Sequence, residues 1–593
     1  FRLLAGCLRG NRTLTHVKLN NLRVELITTL AHALRGNDKL ESLEIISASR
    51  GGGTSVVTLP VPELTGSKGG AGSKRVDLSK TCENGSLNRV TCGMIGALVG
   101  SNTSLECLDL TSTGVGMAVG TEGEGGHILF RPLCQDNECQ VSEVILNDAM
   151  LNDKAGGKLI SALVEGLGKG DHGYEKITSI SVARNDVAKQ FTTALKQLLW
   201  SERAQCMIKS LDVSHNASLD GFELAASLKR NDSLTSLDIR GVPGANASDI
   251  LIFIGSYLLQ DDCMCRLGFL SCDAFQVTPS QTELVYGSKE RIERTSKEPK
   301  EPKEPKEDDE PPAKEMKPDG KVDPVILLLA GVVKFNSKLK HLTLASGVNS
   351  EGARSVATSL ASNQTLEHLD VSGHNAMDSE GVESIADAIR SHPKLQTVKI
   401  EGTTSLPIAQ LRGSQGAEAV LNVNHWNMGV LSAFAMGKML RGNLLLSSLN
   451  LDHNLFGAAG IKAIIEGLGE APIKSLHIKS TGLAGTEDAT LQELAASICT
   501  HLGQLAELRM DENDLSPDAD ADALSPLCKL RSIRTLSIEK NRLTRVPPLI
   551  GTMLTLRHLL LYSNQLVELP ASLCLVTGLE VLDVHKNMIT VLP

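Results

Sequence analysis

The amino-acid sequence predicts an α/β solenoid: a horseshoe with a parallel β-sheet on its concave face and helices on the opposite face. Three observations support this fold class. A nine-residue pattern, Leu-x-x-Leu-x-Leu-x-x-Asn, recurs throughout the 593 residues. Early copies are mostly 26 to 36 residues apart (40 − 14, 177 − 141), which leaves room for one strand and one helix. Aromatic residues make up only 3%, as expected where aliphatic side chains fill a narrow interior.

Each copy of the pattern predicts one strand. Its fourth and sixth positions alternate, so both side chains point to the same inward face. The closing Asn lies where the chain leaves the strand, and its amide can bond backbone groups of the turn. One repeat cannot bury its own apolar face, so stability comes from stacking against neighbours. About nineteen strand segments are predicted, with the weakest patterns at Ser73 and Glu418, and they begin at Leu14, Leu40, Ser73, Leu105, Val141, Ile177, Ile208, Leu234, Met264, Leu339, Leu366, Leu395, Glu418, Leu446, Ile473, Leu505, Ile533, Leu556 and Leu579.

Helical segments follow the strands of the long repeats. Stretches such as EGVESIADAIRSH (380–392) and AAGIKAIIEGLG (458–469) carry apolar residues three and four apart, which is the helical period. The last repeats are only 23 residues apart (556 − 533, 579 − 556). There Pro547, Pro548 and Pro570 predict an extended or one-turn connection instead of a full helix.

These motifs resemble leucine-rich repeat proteins, and the resemblance covers nearly the whole chain. The repeats at Leu366 and Leu446 are similar to the ribonuclease-inhibitor class, which also forms the sensor arms of NOD-like receptors. The last three repeats are similar to the shorter class of signalling scaffolds and Roc-GTPase kinases. The resemblance implies a fold and a binding surface, and it does not identify a partner.

The repeat classes divide the chain into four segments. They are helix-backed repeats at 1–288 with an irregular segment at 47–80, a charged segment at 289–321, helix-backed repeats at 322–530 and short repeats at 531–593.

The charged segment is rich in lysine, glutamate and proline, as in KEPKEPKEPKEDDEPP. It has almost nothing apolar to offset the entropy cost of ordering, so it is predicted to be disordered. The strand pattern at Met264 lacks a following helix, and the helical pattern at 322–336 lacks a preceding strand. We therefore interpret the segment as a loop inserted into one repeat of a single continuous solenoid.

A second irregularity occurs twice. LPVPELTG (59–66) and LPIAQLRG (406–413) share Leu-Pro-x-x-x-Leu-x-Gly, and each precedes a weak strand. We interpret them as a pair of atypical repeats in which a short proline-led segment replaces the helix. Local packing variation and a docking notch on the convex side are both open interpretations. Trp426, at the Asn position of the second copy, is expected to be a wedge in the turn and not a ligand contact.

Composition restricts the class of function. A net charge of −10 and a pI of about 5.9 disfavour a general nucleic-acid binder. There is no apolar run of membrane-spanning length, and VILLLAGVV (325–333) is predicted to be a repeat helix, so no membrane insertion is expected. The pattern is already under way at Phe1 and still running at Pro593, so we expect the ordered part of a longer protein.

Cysteines and glycosylation motifs both have a simpler explanation in the repeats. Cys263, Cys265 and Cys272 lie close together, but no fourth ligand occurs at zinc-finger spacing, and Cys272 is interpreted as occupying an Asn position. Buried reduced thiols are expected, which favours a reducing compartment: the cytoplasm, with a cilium or organelle as alternatives. The N-x-Ser/Thr triplets that precede strands, as at Asn102 and Asn363, are interpreted as a product of the repeat.

No catalytic or cofactor motif is present. The sequence lacks a Walker phosphate loop, a Gly-x-Ser-x-Gly elbow and a His-Glu-x-x-His pair, so we expect no enzyme activity, cofactor or metal. Asp518, Asp520 and Asp522 alternate as an EF-hand loop begins. However, Ala523 and Lys529 stand where that loop needs Gly and Glu.

The candidate site is therefore a binding surface. Residues of the last repeats that lie outside the apolar template are expected on the concave face, where arginine and tyrosine are favoured hot-spot residues. A solvated face of alternating charges is the alternative. The predicted partner-binding residues are Arg509, Asp511, Arg534, Glu539, Arg557, His558, Tyr562, Asp583 and His585.

The sequence predicts a non-enzymatic protein–protein interaction scaffold, a subunit or arm of a larger hetero-oligomeric complex. One alternative is a ligand-sensing regulatory arm, as in NOD-like receptors or Roc-GTPase proteins. A second alternative is a repeat array that activates a GTPase or inhibits an enzyme. The repeat pattern alone does not separate these functions.

Overall fold

A computed structural model describes residues 2–590 except 49–53, 68–72, 84–86, 122–127, 131–132, 134–137, 168–176, 201–207, 245–246, 288–321, 470 and 517–522. The chain forms two compact units, Phe1–Ser280 and Gln281–Pro593. The predicted disordered loop at 289–321 and the aspartates at 518–522 lie outside the described residues.

The first unit consists of short strands that alternate with helices. Its strands are β1 (His16–Asn20), β2 (Ser42–Ala48), β3 (Thr54–Pro60), β4 (Arg75–Asp77), β5 (Cys82–Glu83), β6 (Cys107–Asp109), β7 (Glu143–Ile145), β8 (Ser179–Ser181), β9 (Ser210–Asp212), β10 (Ser236–Asp238), β11 (Phe269–Ser271) and β12 (Gln276–Val277). Its α-helices are α1 (Arg2–Gly10), α2 (Ile27–Arg35), α3 (Val61–Thr65), α4 (Arg89–Val99), α5 (Val115–Thr121), α6 (Asp153–Leu167), α7 (Lys189–Leu199), α8 (Gly221–Ser227) and α9 (Ser248–Leu259), and 3₁₀ turns lie at Val24–Leu26 and Leu228–Arg230.

The second unit repeats the same alternation. Its strands are β13 (Glu283–Tyr286), β14 (His341–Leu344), β15 (Ser346–Asn349), β16 (His368–Asp370), β17 (His374–Ala376), β18 (Thr397–Lys399), β19 (Leu406–Pro407), β20 (Val420–Asn422), β21 (Ser448–Asn450), β22 (Ser475–His477), β23 (Glu507–Arg509), β24 (Thr535–Ser537), β25 (His558–Leu560) and β26 (Val581–Asp583). Its helices are α10 (Pro324–Phe335), α11 (Ser350–Ser362), α12 (Ser379–Ser391), α13 (Ile408–Arg412), α14 (Val430–Leu440), α15 (Gly457–Leu468) and α16 (Asp488–His501), followed by 3₁₀ turns at Ser525–Lys529, Pro548–Thr552 and Ala571–Leu575.

Successive repeats stack as parallel ladders. The seven-stranded sheet runs in chain order from β20 to β26, and the eight-stranded sheet runs from β4 through β6–β11 to β12. The fourth pattern positions pair with one another, as in Leu508↔Leu536 and Leu536↔Leu559. These leucines are buried, which places the core between the sheet and the helices. The α/β repeat solenoid is the architecture that the sequence predicts, while the horseshoe curvature and the number of repeats stay predictions.

The predicted strand starts are accurate with one exception. Strands begin two residues after every predicted start but Met264, which includes the weak patterns at Ser73 and Glu418. At Met264 the predicted register is wrong by three residues, because β10 pairs Leu237 with Leu270. Leu270 is therefore the fourth position of its repeat. Cys272 occupies the buried sixth position and not the Asn position.

The sequence also missed a strand. β13 pairs in parallel with β14 from Glu283↔His341 to Tyr286↔Leu344. The helix α10 therefore follows β13, and its assignment to the repeat of Met264 is wrong. Instead, β11 is followed by the antiparallel strand β12. Whether the two units form one continuous solenoid stays a prediction.

The two atypical repeats have the same structure. In each, an antiparallel strand (β3 or β19) precedes a five-residue helix (α3 or α13). Each helix ends at a glycine in the left-handed conformation, Gly66 with φ 68° and Gly413 with φ 66°. A new parallel ladder then begins at the weak strand, β4 or β20. The proline-led segments are thus a repeated structural unit, as the sequence predicts.

The closing Asn of the pattern connects each repeat to its neighbour by hydrogen bonds. The closing Asn513 donates to Ile478 O at 2.7 Å and Met510 O at 3.1 Å, and it accepts from the Thr481 amide at 2.8 Å. Asn564 and Asn587 also donate to the sixth-position carbonyl of the preceding repeat and accept from a backbone amide of that repeat.

The residue just before the closing Asn position adopts a left-handed conformation. Its φ lies between 49° and 58° in Asn21, Ser112, Asp148, Arg184, His215, His425, His453, Ser480, Glu512, Lys540, Ser563 and Lys586.

Candidate functional site

The last four strands carry the predicted site. In β23, Glu507 and Arg509 are partly exposed on either side of the buried Leu508, and β25 repeats this alternation. The third and fifth pattern positions therefore point away from the core. We call the solvent-facing side chains of β23–β26 and of the turns that follow them the terminal sheet face.

A charged network begins this face. Arg509 Nε donates to Glu507 Oε1 at 2.7 Å, and Ser475 Oγ donates to Glu507 Oε2 at 3.1 Å. His477 lies 3.6 Å from the same carboxylate. Burial raises the pKa of Glu507, but the hydrogen bond from Arg509 and the nearby positive groups outweigh burial and lower it. Arg509 is thus held in place while 41% of its side chain remains exposed.

Asp511 does not belong to the exposed surface, which corrects the sequence prediction. Its carboxylate is 7% exposed and accepts hydrogen bonds from Ser537 Oγ at 2.6 Å and the Glu539 amide at 2.8 Å. Asp511 therefore ties its turn to the next repeat. Its role is structural because its Oδ1 is occupied by internal donors.

Opposite charges alternate along the turns after the strands. Glu512 lies 2.6 Å from Lys540 and 3.3 Å from Lys479, and the hydrogen bond with Lys540 is the main cause of its lowered pKa. Glu539 behaves in the opposite way. Burial raises its pKa, and the negative charges of Asp511 and Asp583 add to the effect. Glu539 is a half-buried carboxylate in an acidic surrounding.

An aromatic cluster closes the face. The rings of Tyr562 and His585 lie 4.3 Å apart, and Lys586 Nζ donates to the Tyr562 hydroxyl at 2.9 Å while lying 5.1 Å from the Tyr562 ring centroid. His585 Nδ1 lies 2.5 Å from Asp583 Oδ1, and this hydrogen bond lowers the pKa of Asp583. These contacts join four exposed or partly exposed side chains in one packed group, which consists of Tyr562, Asp583, His585 and Lys586.

The remaining predicted residues divide between the face and its edge. His558 lies on the face, with Nδ1 3.2 Å from Thr535 Oγ1. Arg534 and Arg557 stand at the second pattern position, one residue before their strands, and their place on the binding face stays a prediction. Arg557 Nη1 donates to Gly578 O at 2.9 Å and lies 3.5 Å from Glu580.

Four residues of the face were missed in the sequence. Glu507 stands at the third pattern position, and Glu512, Lys540 and Lys586 stand at the eighth, just before the Asn. A sequence signal was available, since the third and eighth positions lie outside the apolar template as the predicted residues do. Glu507 pairs with Arg509 of its own strand, whereas the contacts Glu512–Lys540 and Lys586–Tyr562 join successive repeats.

The clustered cysteines of the first unit lie in its interior. Cys263, Cys265 and Cys272 are buried, with exposed fractions of 5%, 0% and 1%. Within the part of the chain that the structure describes, no group of three or more His, Cys, Asp or Glu side chains could hold a metal ion. In the same residues no helix is long and apolar enough to cross a membrane. Asn102 and Asn363 are fully or almost fully buried, and each bonds the backbone before its strand.

Comparison with known proteins supports the repeat assignment. Residues 362–386, which include β16, β17 and part of α12, match the Leucine Rich repeat family model. No curated protein matches the chain. A leucine-rich repeat protein of Leptospira interrogans is similar at 15% identity, over 84% of this chain and 87% of that one, with a TM-score of 0.22. TLR13, solved in a complex with ssRNA13, is similar at 12% identity over 82% of this chain and 56% of its own length, with a TM-score of 0.23.

The matched segment and the parallel ladders together support a leucine-rich repeat protein, a class that generally mediates protein–protein interaction. The similarity to the ribonuclease-inhibitor class and to the proline-containing class stays a prediction.

Proposed function

We propose that this chain is a non-enzymatic protein-interaction scaffold, an arm or subunit of a larger hetero-oligomeric assembly, and that the terminal sheet face is its main docking surface. The observation that carries the proposal is the packed group of Tyr562, His585, Lys586 and Asp583 beside Arg509 and its partner Glu507. Aromatic and arginine side chains of this kind dominate binding energy at protein interfaces.

Preorganisation supports this interpretation over a merely solvated surface. The Tyr562 ring packs against the His585 ring at a tilt of 34°, and its hydroxyl accepts a hydrogen bond from Lys586, so few rotamers remain to be lost on binding. Immobilising a flexible side chain costs about 0.5–1.5 kcal/mol, and that cost is already met here by internal contacts. The alternating charges of Glu512, Lys540 and Glu539 add a pattern that only a complementary partner matches.

The partner is proposed to be another protein in a reducing compartment, the cytoplasm or a cilium or organelle open to it. The buried cysteine side chains and the buried Asn102 and Asn363 of the glycosylation triplets support this location. The acidic chain, with net charge −10, makes nucleic acid the less suitable partner.

Quantitative affinity capture from cells tests the proposal. Wild-type chain, the double variant Arg509→Ala/Tyr562→Ala and a control, Lys462→Ala, would be compared by mass spectrometry. Lys462 forms an exposed ion pair with Glu493 between two helices. Its replacement by alanine therefore removes a charge that lies outside the sheet face. We expect one set of proteins to be retained by the wild type and the control and lost from the double variant. Equal capture by all three would exclude the face as the docking surface.

A further inference from the structure

The second pattern position carries a lysine at two places in the chain where the next repeat supplies a carboxylate. Lys74 Nζ lies 2.7 Å from Glu106, and Lys340 Nζ lies 2.9 Å from Glu367. In both pairs each residue stands one residue before its strand. The chain therefore pairs a cation at this position with a glutamate at the same position of the following repeat.

The short repeats break this arrangement at Arg534. Arg534 and Arg557 stand at the second position of successive repeats, and the Arg557 amide donates to the Arg534 carbonyl at 2.8 Å. The preceding repeat has Ala506 at this position. Arg534 thus has a second arginine on one side and an alanine on the other. Like charges at neighbouring positions of paired strands are unfavourable, so the site lacks an anion.

Two more cations lie beside this step. Lys529 ends the 3₁₀ turn that leads to the strand, and Thr555 Oγ1 donates to the Arg531 carbonyl at 3.1 Å, which places Arg531 against the following repeat. Among the described residues of this region only Arg557 forms an ion pair, with Glu580 at 3.5 Å. We define the basic edge as four exposed side chains, those of Lys529, Arg531, Arg534 and Arg557.

The charge of this stretch is opposite to that of the whole chain. Residues 529–567 contain seven Lys or Arg and one Glu, which gives a net charge of +6 (7 − 1). The whole chain carries −10, so the rest of it carries −16 (−10 − 6). A short anionic segment that contacts only the edge is therefore attracted, whereas a long polyanion is also repelled by the acidic remainder.

We propose that the basic edge binds an acidic segment of a partner protein, whose carboxylates pair with Arg531 and Arg534 as the glutamates of other repeats pair with their lysines. Arginine presents its donors in a planar fork that a carboxylate accepts with both oxygens. Lys529 and Arg557 add positive charge on either side. Leu554, which is 69% exposed and adjoins Thr555, offers an apolar contact to the same segment.

A protein segment suits this edge better than a nucleic acid. Residues 529–534 and 552–557 contain no aromatic side chain, so the stacking surfaces that bind single-stranded bases are missing there. The inference rests on the proposed function in taking the partner to be a protein. It does not depend on the terminal sheet face, because the edge consists of positions that precede the strands.

Fluorescence polarisation of a labelled oligoglutamate peptide with the full chain, at constant ionic strength, tests the proposal. We expect saturable binding to the wild type. Arg531→Gln/Arg534→Gln should bind about tenfold more weakly or worse, because both unpaired forks are removed. Arg354→Gln/Lys462→Gln is the matched control, since it removes two exposed cations from helices and changes the net charge equally. It should bind as the wild type does.

A further variant, Arg534→Glu, separates loss of the site from loss of the fold. It places a carboxylate beside Arg557, as in the pair of Lys74 and Glu106, and Ala506 on the other side is neutral. Its urea midpoint should therefore equal or exceed that of the wild type, while binding of the peptide is lost.

Three results would overturn the proposal. They are failure of the peptide to bind the wild type saturably, wild-type affinity in folded Arg531→Gln/Arg534→Gln, and tighter binding of a labelled oligothymidylate than of the peptide. Capture of cellular proteins by Arg509→Ala/Tyr562→Ala concerns the terminal sheet face alone, so failure of that face and failure of the edge are distinguishable.

Discussion

Gly413 lies directly against the side chain of Asn443: a Cβ atom on Gly413 would stand 2.6 Å from Asn443 Oδ1. Gly66 lies in the same way against Asn102, where the distance would be 2.9 Å. In both copies the Asn amide also donates to the short helix, with Asn443 bonded to Gln410 O at 2.8 Å. The close contact between glycine and Asn thus packs the short helix of each atypical repeat against the next repeat.

Replacing Gly413 by alanine tests this contact. The left-handed φ of 66° costs an alanine about 1 kcal/mol, and the contact with Asn443 should cost a further 1–3 kcal/mol or so. Gly457→Ala is the matched control, since Gly457 has φ of 64° but nothing within 4 Å of its added Cβ. Urea unfolding of both variants should show the larger loss for Gly413→Ala. Equal losses would mean that only backbone strain matters at this position.

The Asn ladder predicts a second difference in stability. Asn513→Ala removes a buried amide that bonds Ile478 O, Met510 O and the Thr481 amide, and it leaves these backbone groups unsatisfied. We expect a loss of about 1–3 kcal/mol in the free energy of unfolding. Asn422→Ala, an exposed residue in the same sheet, should change stability by less than about 0.5 kcal/mol. If the two variants unfold alike, the closing Asn does not hold the repeats together.

Two neighbouring glutamates should respond to pH with opposite signs. The pKa of Glu539 is raised in the folded protein, first by burial and then by nearby carboxylates, so its ionised form destabilises the fold above that pKa. Glu539→Gln should therefore raise the urea midpoint at pH 7, and the gain should shrink as the pH falls from the folded pKa towards the ordinary glutamate value of 4.5 and be absent below it.

Glu512 provides the control for this experiment. Its pKa is lowered, mainly by the hydrogen bond from Lys540, so its ionised form stabilises the fold above 4.5 and that contribution is lost as the pH falls through the folded pKa. Glu512→Gln should lower the midpoint at pH 7 and have no effect in acid. Shifts of the same sign for both variants at pH 7 would contradict the charge pattern of the terminal sheet face.

Thiol reactivity checks the interpretation of the cysteines. Burial raises the pKa of Cys265 to about 12, and its side chain is inaccessible, whereas Cys574 is exposed. In a titration with Ellman's reagent at pH 8, Cys574 should react in the fast phase and Cys265 only after unfolding. Cys574→Ser should reduce the fast phase, and Cys265→Ser should leave it unchanged. Fast reaction of Cys265 in the native protein would contradict its burial.

The strands could be predicted from the sequence because the apolar positions of the pattern are the residues that are buried when successive strands pair. At Met264 the predicted register is wrong, because Met264, Leu267 and Phe269 fit the spacing as well as Leu267, Leu270 and Cys272 do. A shift of three residues exchanges one apolar set for another, and only the pairing of Leu237 with Leu270 decides between them.

The strand β13 was missed for a different reason. Gln281 stands at the first pattern position and Tyr286 at the sixth, so the template is not satisfied, although pairing with β14 still buries Leu284. Tertiary pairing here outweighs the local pattern.

The candidate site was predictable in composition but not in geometry. The template identifies outward positions, and Arg509, His558 and Asp583 stand at such positions of their strands. It could not indicate that Asp511 is buried under Ser537, because that depends on a small residue in the next repeat. The contacts of Glu507 with His477 and Ser475 likewise depend on the stacking of two repeats, so the sequence alone did not indicate the network that includes Arg509.

The central claim, that the terminal sheet face binds the partner protein, is tested most directly by one affinity measurement. The dissociation constant of the captured partner would be measured for the wild type, for Tyr562→Ala and for Lys462→Ala. Tyr562 lies in the packed group with His585 and Lys586, so its removal should cost about 2 kcal/mol or more, roughly a thirtyfold weaker complex. Lys462→Ala should bind within about twofold of the wild type. A Tyr562→Ala complex as tight as that of the wild type would contradict the claim.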